Sequence, residues 1–128
     1  MDDIRISVRT HSLLYSEITS IVNNRIHIDK LPENITMPCS LIKTVTDIPM
    51  TNRSAGNIGR IILQVECYSE DAIEASRLAK AFRDTYDGYD GYIVNHKVRV
   101  LVKNVPGDWQ PDPRLFMRMV EMDIGYVG

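Results

Sequence analysis

Residues 60–68, Arg-Ile-Ile-Leu-Gln-Val-Glu-Cys-Tyr, alternate: Ile61, Leu63, Val65 and Cys67 fall on one face, Gln64 and Glu66 on the other. That is the pattern of a half-buried strand. After Tyr68 the period lengthens. Ala75, Ala79, Phe82 and Tyr86 recur at i, i+4, i+7 and i+11 with Leu78 beside them, which makes one face of a helix apolar. Ser69 is the expected N-cap, because its hydroxyl can accept from the free amides of a first turn. Glu70 and Asp71 stand where the positive helix end favours carboxylates, and Gly88 and Gly91 are expected to close the helix. A strand running straight into a helix that folds back on it predicts an α+β layer, with Ala75 and Ala79 permitting close approach. Burying side chains such as Leu63, Val65 and Phe82 contributes roughly 1.5–3 kcal/mol each before entropy is subtracted.

Upstream, Ile4, Val8, Tyr15, Ile18 and Val22 form one helical stripe flanked by Leu14 and Ile21. The spacing predicts a helix over 3–22, stopped by Asn23-Asn24, although residues 4–8 also alternate like a strand. Residues 25–38 read as a connector, since Leu31-Pro32 and Met37-Pro38 push the chain towards extended geometry and remove amide donors. Residues 40–47 alternate and are rich in β-branched side chains, which predicts a strand. Residues 47–59 are polar, glycine-bearing and aperiodic, the composition of an arm at the tip of a hairpin. Beyond the helix, 87–91 is a turn, followed by strands over 92–95 and 97–105 joined at Asn95-His96. Residues 104–113, with Pro106, Gly107, Trp109, Pro111 and Pro113, read as a loop. A closing strand over 114–127 places Phe116, Val120, Met122, Ile124 and Tyr126 on one face. Arg118 interrupts that face, so it is expected where the face reaches solvent or a neighbouring subunit. The whole reads as one α+β domain over 1–128, a mostly antiparallel sheet carrying an N-terminal helix and a central helix.

A chain of 128 residues suits one such domain. Its net charge of −2 and the lack of a Lys/Arg cluster argue against a grip on nucleic acid. Met1-Asp2-Asp3 is acidic where a signal peptide is basic, and no apolar run approaches the roughly 20 residues of a membrane span. Synthesis in the cytoplasm, without membrane insertion, is the expectation. Cys39 and Cys67 lack CxxC spacing and are expected as buried, reduced thiols.

Candidate chemistry is sparse. His27, Asp29 and His96 are scattered without the spacing of a metal site, and His11 reads as a histidine at the edge of a packed face. Asp84, Asp87 and Asp90 lack the Asp-x-Asp-x-Asp-Gly order of a calcium loop. Gly56-Asn57-Ile58-Gly59 lacks a Gly-Lys-Ser/Thr ending and precedes a strand, unlike a phosphate loop. No Ser/His/Asp, Cys/His or paired-carboxylate arrangement points to catalysis. No catalytic residue, cofactor or metal is therefore expected.

The order of elements resembles a known family. Arg25-Ile26, Leu31-Pro32-Glu33, Met37-Pro38 and the strand from Leu41 to Val45 look like the first half of the tail-completion, or tail terminator, proteins of long-tailed bacteriophages. The strand containing Ile61, Leu63 and Gln64-Val65-Glu66-Cys67-Tyr68 resembles that family's central strand. Glu74-Ala75, Leu78-Ala79 and Phe82-Arg83 resemble its helix, and Asp123-Ile124-Gly125-Tyr126 its closing strand. The resemblance implies a non-enzymatic homo-oligomeric ring of six subunits in the virion, at the head-proximal end of the tail. Such a ring caps the tail tube and ends its polymerisation. Its implied partners are its own copies, the major tail tube protein and the head-tail connector or neck proteins, with DNA passing through unread. A head-completion or neck adaptor ring and a small ligand-binding regulatory module are the alternatives.

Interface candidates come from side-chain character. Met50, Asn52, Arg53 and Asn57 stand in the arm, Trp109 and Gln110 in the proline-rich loop, and Arg77 and Lys80 with Arg83 and Asp84 on the polar side of the helix; Arg118 stands in the closing strand. Tryptophan and arginine are enriched among residues that dominate interface energy. Two readings of Trp109 stay open: a contact with a neighbouring ring, or a cover for one end of this subunit's own core. For the helix charges a solvated face is the commoner meaning.

Overall fold

The computed structural model describes residues 3–52 and 56–127. They form one six-stranded sheet in the order β1-β2-β3-β6-β5-β4, built from β1 (Ile26–Ile28), β2 (Cys39–Asn52), β3 (Gly56–Ser69), β4 (Asp90–Ile93), β5 (His96–Asp112) and β6 (Leu115–Val127). All neighbours are antiparallel except β1 and β2. Helices α1 (Ile4–Ser12), α2 (Ser16–Val22) and α3 (Ala72–Tyr86) lie on one face. The architecture is the expected α+β, mostly antiparallel, with the central helix packed on the sheet.

The core forms where the two predicted periods meet. Leu63, Val65 and Cys67 of β3 and Val120, Met122 and Ile124 of β6 are buried against Leu78, Phe82 and Tyr86 of α3. Val8, Ile18 and Val22 complete the layer from α1 and α2. Across the sheet, the expected face of β6 is buried from Val120 to Tyr126, and Arg118 is half-buried at its end. Gly59 fits this packing for a steric reason: a Cβ there would lie 2.3 Å from the Tyr126 hydroxyl, so only glycine lets that ring cross the strand.

Several expected boundaries move. The single helix over 3–22 is two helices. Asp3 caps α1 by accepting from the Arg5 amide at 3.0 Å, and Tyr15 starts α2 from an extended backbone. The break follows Ser12, whose hydroxyl donates to the Val8 carbonyl at 2.7 Å and bonds the Tyr86 hydroxyl at 2.7 Å, a back-bonding geometry that bends helices. The cap of α3 is Asp71, not Ser69. Because β3 stays paired as far as Ser69 opposite Phe116, the helix begins later, with Asp71 accepting from the Ile73 amide at 2.9 Å. Ser69 instead accepts from the Asp71 amide at 3.0 Å and donates to Glu74 at 2.8 Å. Gly88 follows the helix at φ 77°, whereas Gly91 lies within β4.

Four further segments differ in kind. The connector over 25–38 contains β1, which pairs parallel with β2 from Ile26 opposite Ser40. The arm over 47–59 is strand on both sides, paired from Asp47 opposite Ile61 out to Asn52 opposite Gly56. Backbone hydrogen bonds need no apolar face, so a polar stretch can extend a ladder that a buried stretch has started. The loop over 104–113 is likewise the end of β5, paired with β6 at Trp109 opposite Met117 and Asp112 opposite Leu115. Its register slips on both sides of Trp109, in the stretch where Pro106 and Pro111 cannot donate to a ladder. Finally, the tight connection from β4 to β5 is at Val94-Asn95, one residue earlier than expected.

Candidate assembly surfaces

The charged residues singled out on the helix and in the closing strand converge. Helix α3 presents Ser76, Ala79, Lys80 and Arg83 across a cleft of about 240 Å³ from Asn104, Val105, Pro106 and Gly107 of β5, with Arg118 at its base. A second depression of about 290 Å³ continues along the helix between Arg77, Lys80 and Arg118. Helical spacing puts residues 76, 80 and 83 on one side of α3, and the alternation of β6 turns Arg118 towards that helix. Asp84 stands within this cationic group: it accepts from Lys80 at 2.6 Å and lies 3.7 Å from Arg83. The Lys80 hydrogen bond holds the Asp84 carboxyl below its usual range. Arg118 donates to the Met117 carbonyl at 3.1 Å.

The other candidates are distributed. Met50, Asn52 and Asn57 fall in the distal part of the β2–β3 hairpin, and Arg53 lies outside the described residues. Trp109 is half-buried beside the cleft, its ring against Gly107. Gly107 has φ 134°, and a Cβ there would lie 3.0 Å from the indole, so glycine is what permits the ring to fold back. Gln110 is exposed and donates to the Pro113 carbonyl at 3.0 Å.

Both long outer strands keep open edges. β1 covers β2 only at residues 40–42, and beyond them no strand lies on the outer side of β2 among the described residues. β4 covers β5 only at residues 96–99. The Val100 amide then donates to the Tyr89 carbonyl at 2.9 Å and the Val102 amide to the Asp87 carboxylate at 3.1 Å. Past Val102 no further strand covers β5 among the described residues. The two open stretches are diagonally opposed: that of β2 lies towards the Asn52–Gly56 end of the sheet, that of β5 towards the Asp112–Leu115 end. Sequence reasoning missed both. Pro49 and Pro106 were the available signal, since proline within a strand belongs at an edge.

The titratable groups considered for chemistry are not gathered into a site. Among the described residues no three His, Cys, Asp or Glu side chains are placed to hold a metal. His27 and Asp29 are at the β1 edge and His96 in β5, with three strands between β1 and β5. Asp84 pairs with Lys80, Asp87 accepts from Val102, and Asp90 lies 3.2 Å from Arg99. Each carboxylate thus has its own separate partner. Cys39 and Cys67 are free and buried, and burial pushes the Cys39 thiol up to about 11. His11 is buried among Tyr15, Tyr86 and Tyr89, its Nδ1 at 2.9 Å from the Tyr86 hydroxyl. Among the described residues no helix is long and apolar enough to cross a membrane.

Comparison with known proteins is informative at the level of fold. No family model matches the chain, and no curated protein matches it in sequence. Among solved structures it is similar to a chain from the virion of a native gene transfer agent particle, with a TM-score of 0.73 at 10% identity. The likeness covers 98% of this chain and 95% of that one. It therefore concerns the whole fold and not a shared hairpin.

Proposed function

We propose that this chain is a non-catalytic structural protein of a phage-like virion, and within that class a tail terminator. The observation that carries the reading is the end-to-end likeness of fold to a chain of a gene transfer agent virion. It joins an independent one, the order of motifs along the sequence that resembles the tail-completion family. On this reading residues 1–128 are one tail-completion-like unit, six copies close into a ring at the head-proximal end of the tail, and the ring stops growth of the tube and receives the head connector.

The mechanism is assembly by complementary surfaces. A ring built by rotation needs two different patches on each subunit, and a sheet with two open, diagonally opposed edges supplies them. The proposed contact residues are Arg77, Lys80 and Arg118 at the cationic cleft, Trp109 and Gln110 beside it, and Met50, Asn52, Arg53 and Asn57 in the distal hairpin. The partners are further copies of the chain, the tail tube protein and the neck proteins.

Deleting the gene from a particle-producing strain tests this reading. The expected result is tails of abnormal length that do not join heads, restored to normal by the gene in trans. Tails of normal length with intact heads would overturn it, and so would normal-length tails that stay unattached, because that outcome belongs to a neck adaptor.

A further inference from the structure

The two open edges differ in charge, and the difference points to how copies join. Beside the open stretch of β2, on the helix-bearing side of the sheet, Asp3 and Asp47 line one depression with Arg5, Thr44 and Tyr126. Arg5 pairs with Asp3 and with Asp29, and Asp47 lines the same depression. Beside the open stretch of β5, on the same side of the sheet, Arg77, Lys80, Arg83 and Arg118 line the two depressions along α3, with Asp84 paired to Lys80 and 3.7 Å from Arg83. On the helix-bearing side, the described charges beside the open β2 stretch are thus mainly acidic and those beside the open β5 stretch mainly basic, while the strands themselves carry Lys43 in the first and Lys103 and Asp112 in the second.

We propose that a second copy of this chain joins edge to edge, the β2 edge of one protomer against the β5 edge of the next, with Asp47 meeting the Lys80–Arg83 end of the neighbour's cationic cleft. The inference rests on the ring reading and specifies its interface. Strand direction allows it: β2, β3, β6 and β5 alternate in direction, so β2 and β5 run opposite ways, and copies laid side by side in one orientation bring them together antiparallel. Edge pairing also keeps the helices of both copies on the same side, which is the side where the unlike charges lie.

The diagonal placement of the open stretches imposes a stagger. With the neighbour displaced along the strands, its β4 passes beyond the end of β2, and β1 passes beyond the end of the neighbour's β5. Neither short strand then blocks the contact. A repeated stagger of this kind is what strands tilted to the axis of a closed sheet produce. Two features limit the backbone share. Register shifts at Thr44/Thr46, and Pro49 and Pro106 have no amide hydrogen to give, the devices by which edges avoid indiscriminate pairing. Charge complementarity is therefore assigned the choice of partner. Val45 and Ile48, exposed at 49% and 44% on the open β2 stretch, become covered in this arrangement.

A charge-swap complementation decides it. Two full-length variants, Asp47→Lys and Lys80→Glu/Arg83→Glu, are each examined alone, then mixed in equal amounts, by sedimentation velocity and electron microscopy at concentrations where the parent forms rings. All three are checked for matching melting curves. Each variant alone should associate at least about tenfold more weakly than the parent, because like charges then face each other. The mixture should recover rings, since one of its alternating interfaces is native and the other has both signs reversed. Rings from either variant alone, or a mixture that stays monomeric, would overturn this interface and leave the ring reading standing. A parent that forms no ring even when concentrated with tail tubes would overturn the ring reading, and this interface with it.

Discussion

The middle of the sheet and its two diagonal ends are held by different forces. Over the middle, β3 and β6 bury Leu63, Val65, Val120 and Met122 under Leu78 and Phe82 of α3, all at or near full burial. At the ends, β2 and β5 continue with exposed side chains such as Ile48 and Gln110. The outer face of the sheet, away from the helices, carries charges even at the centre. There Glu66 is buried, but it accepts from Gln64 at 2.6 Å and Tyr68 at 2.7 Å and lies 3.4 Å from Lys43. Apolar burial thus stabilises one layer, while ladder hydrogen bonds shape the extensions, joined in β5 by the Trp109 ring over Gly107. A surface made that way can be changed without unfolding the subunit, which suits edges that meet other molecules.

The largest expected effect falls on the covered middle. Phe82→Ala removes a fully buried ring from α3 and should cost about 3–5 kcal/mol in urea unfolding. Replacing residues 50–57 with a short glycine linker should change stability by less than about 1 kcal/mol, while yielding tails of abnormal length or tails that fail to join heads. Comparable losses of stability from both changes would show that the hairpin end belongs to the folding core.

The same division governs what could be read in the sequence. The strand at 60–68, the helix after it and the closing strand were legible because each is half-buried and burial imposes a period. The distal residues of β2, β3 and β5 carry no such period in their sequence, so their polar and proline-bearing stretches looked like loops. β1 was hidden for another reason: at 3 residues it is shorter than any periodicity can reveal. Of the proposed assembly surfaces, the cations Arg77, Lys80 and Arg118 could be named one by one. Their convergence required the α3–β6 crossing, and the proposed pairing of a mainly acidic edge with a mainly basic one required the strand order, neither of which is a local property.

A smaller effect should come from acid. Burial among Tyr15, Tyr86 and Tyr89 holds the His11 pKa below its ordinary 6.5, and His27 is lowered by burial and by the charges of Arg9 and Arg25. Each is neutral in the folded protein at a pH where the unfolded chain takes up a proton. Their contribution is complete above about pH 6.5 and is lost as pH falls through the folded values. The lowered carboxyls of Asp3, Asp84 and Asp123 contribute above their unfolded pKa of 3.8 and are lost only below it. The urea midpoint should therefore fall between pH 7 and pH 5, ahead of the carboxylate transition, and His11→Gln should flatten that slope to the share of His27. A parent midpoint constant over this range would show that the Tyr86 hydroxyl solvates the imidazolium as well as it does the neutral ring.

The most local effect concerns Trp109, where the covered and open regimes meet. Its indole is half-buried and lies over Gly107, so part of the ring covers its own hairpin and the remainder faces outward beside the cationic cleft. Gly107→Ala places a methyl group 3.0 Å from the ring at φ 134°, and both the contact and the backbone conformation oppose it. The cost should be about 1 kcal/mol, because the hairpin end is short of other packing. As Trp109 is the only tryptophan, its emission separates the two roles. The parent monomer should emit between the limits of a buried and a free indole, with partial access to a neutral quencher, and Gly107→Ala should shift it to the red. Ring formation should shift the parent to the blue as the outward part of the ring is covered. If assembly leaves emission and quenching unchanged, Trp109 serves its own hairpin alone, and the contact between subunits is carried by the charges beside it.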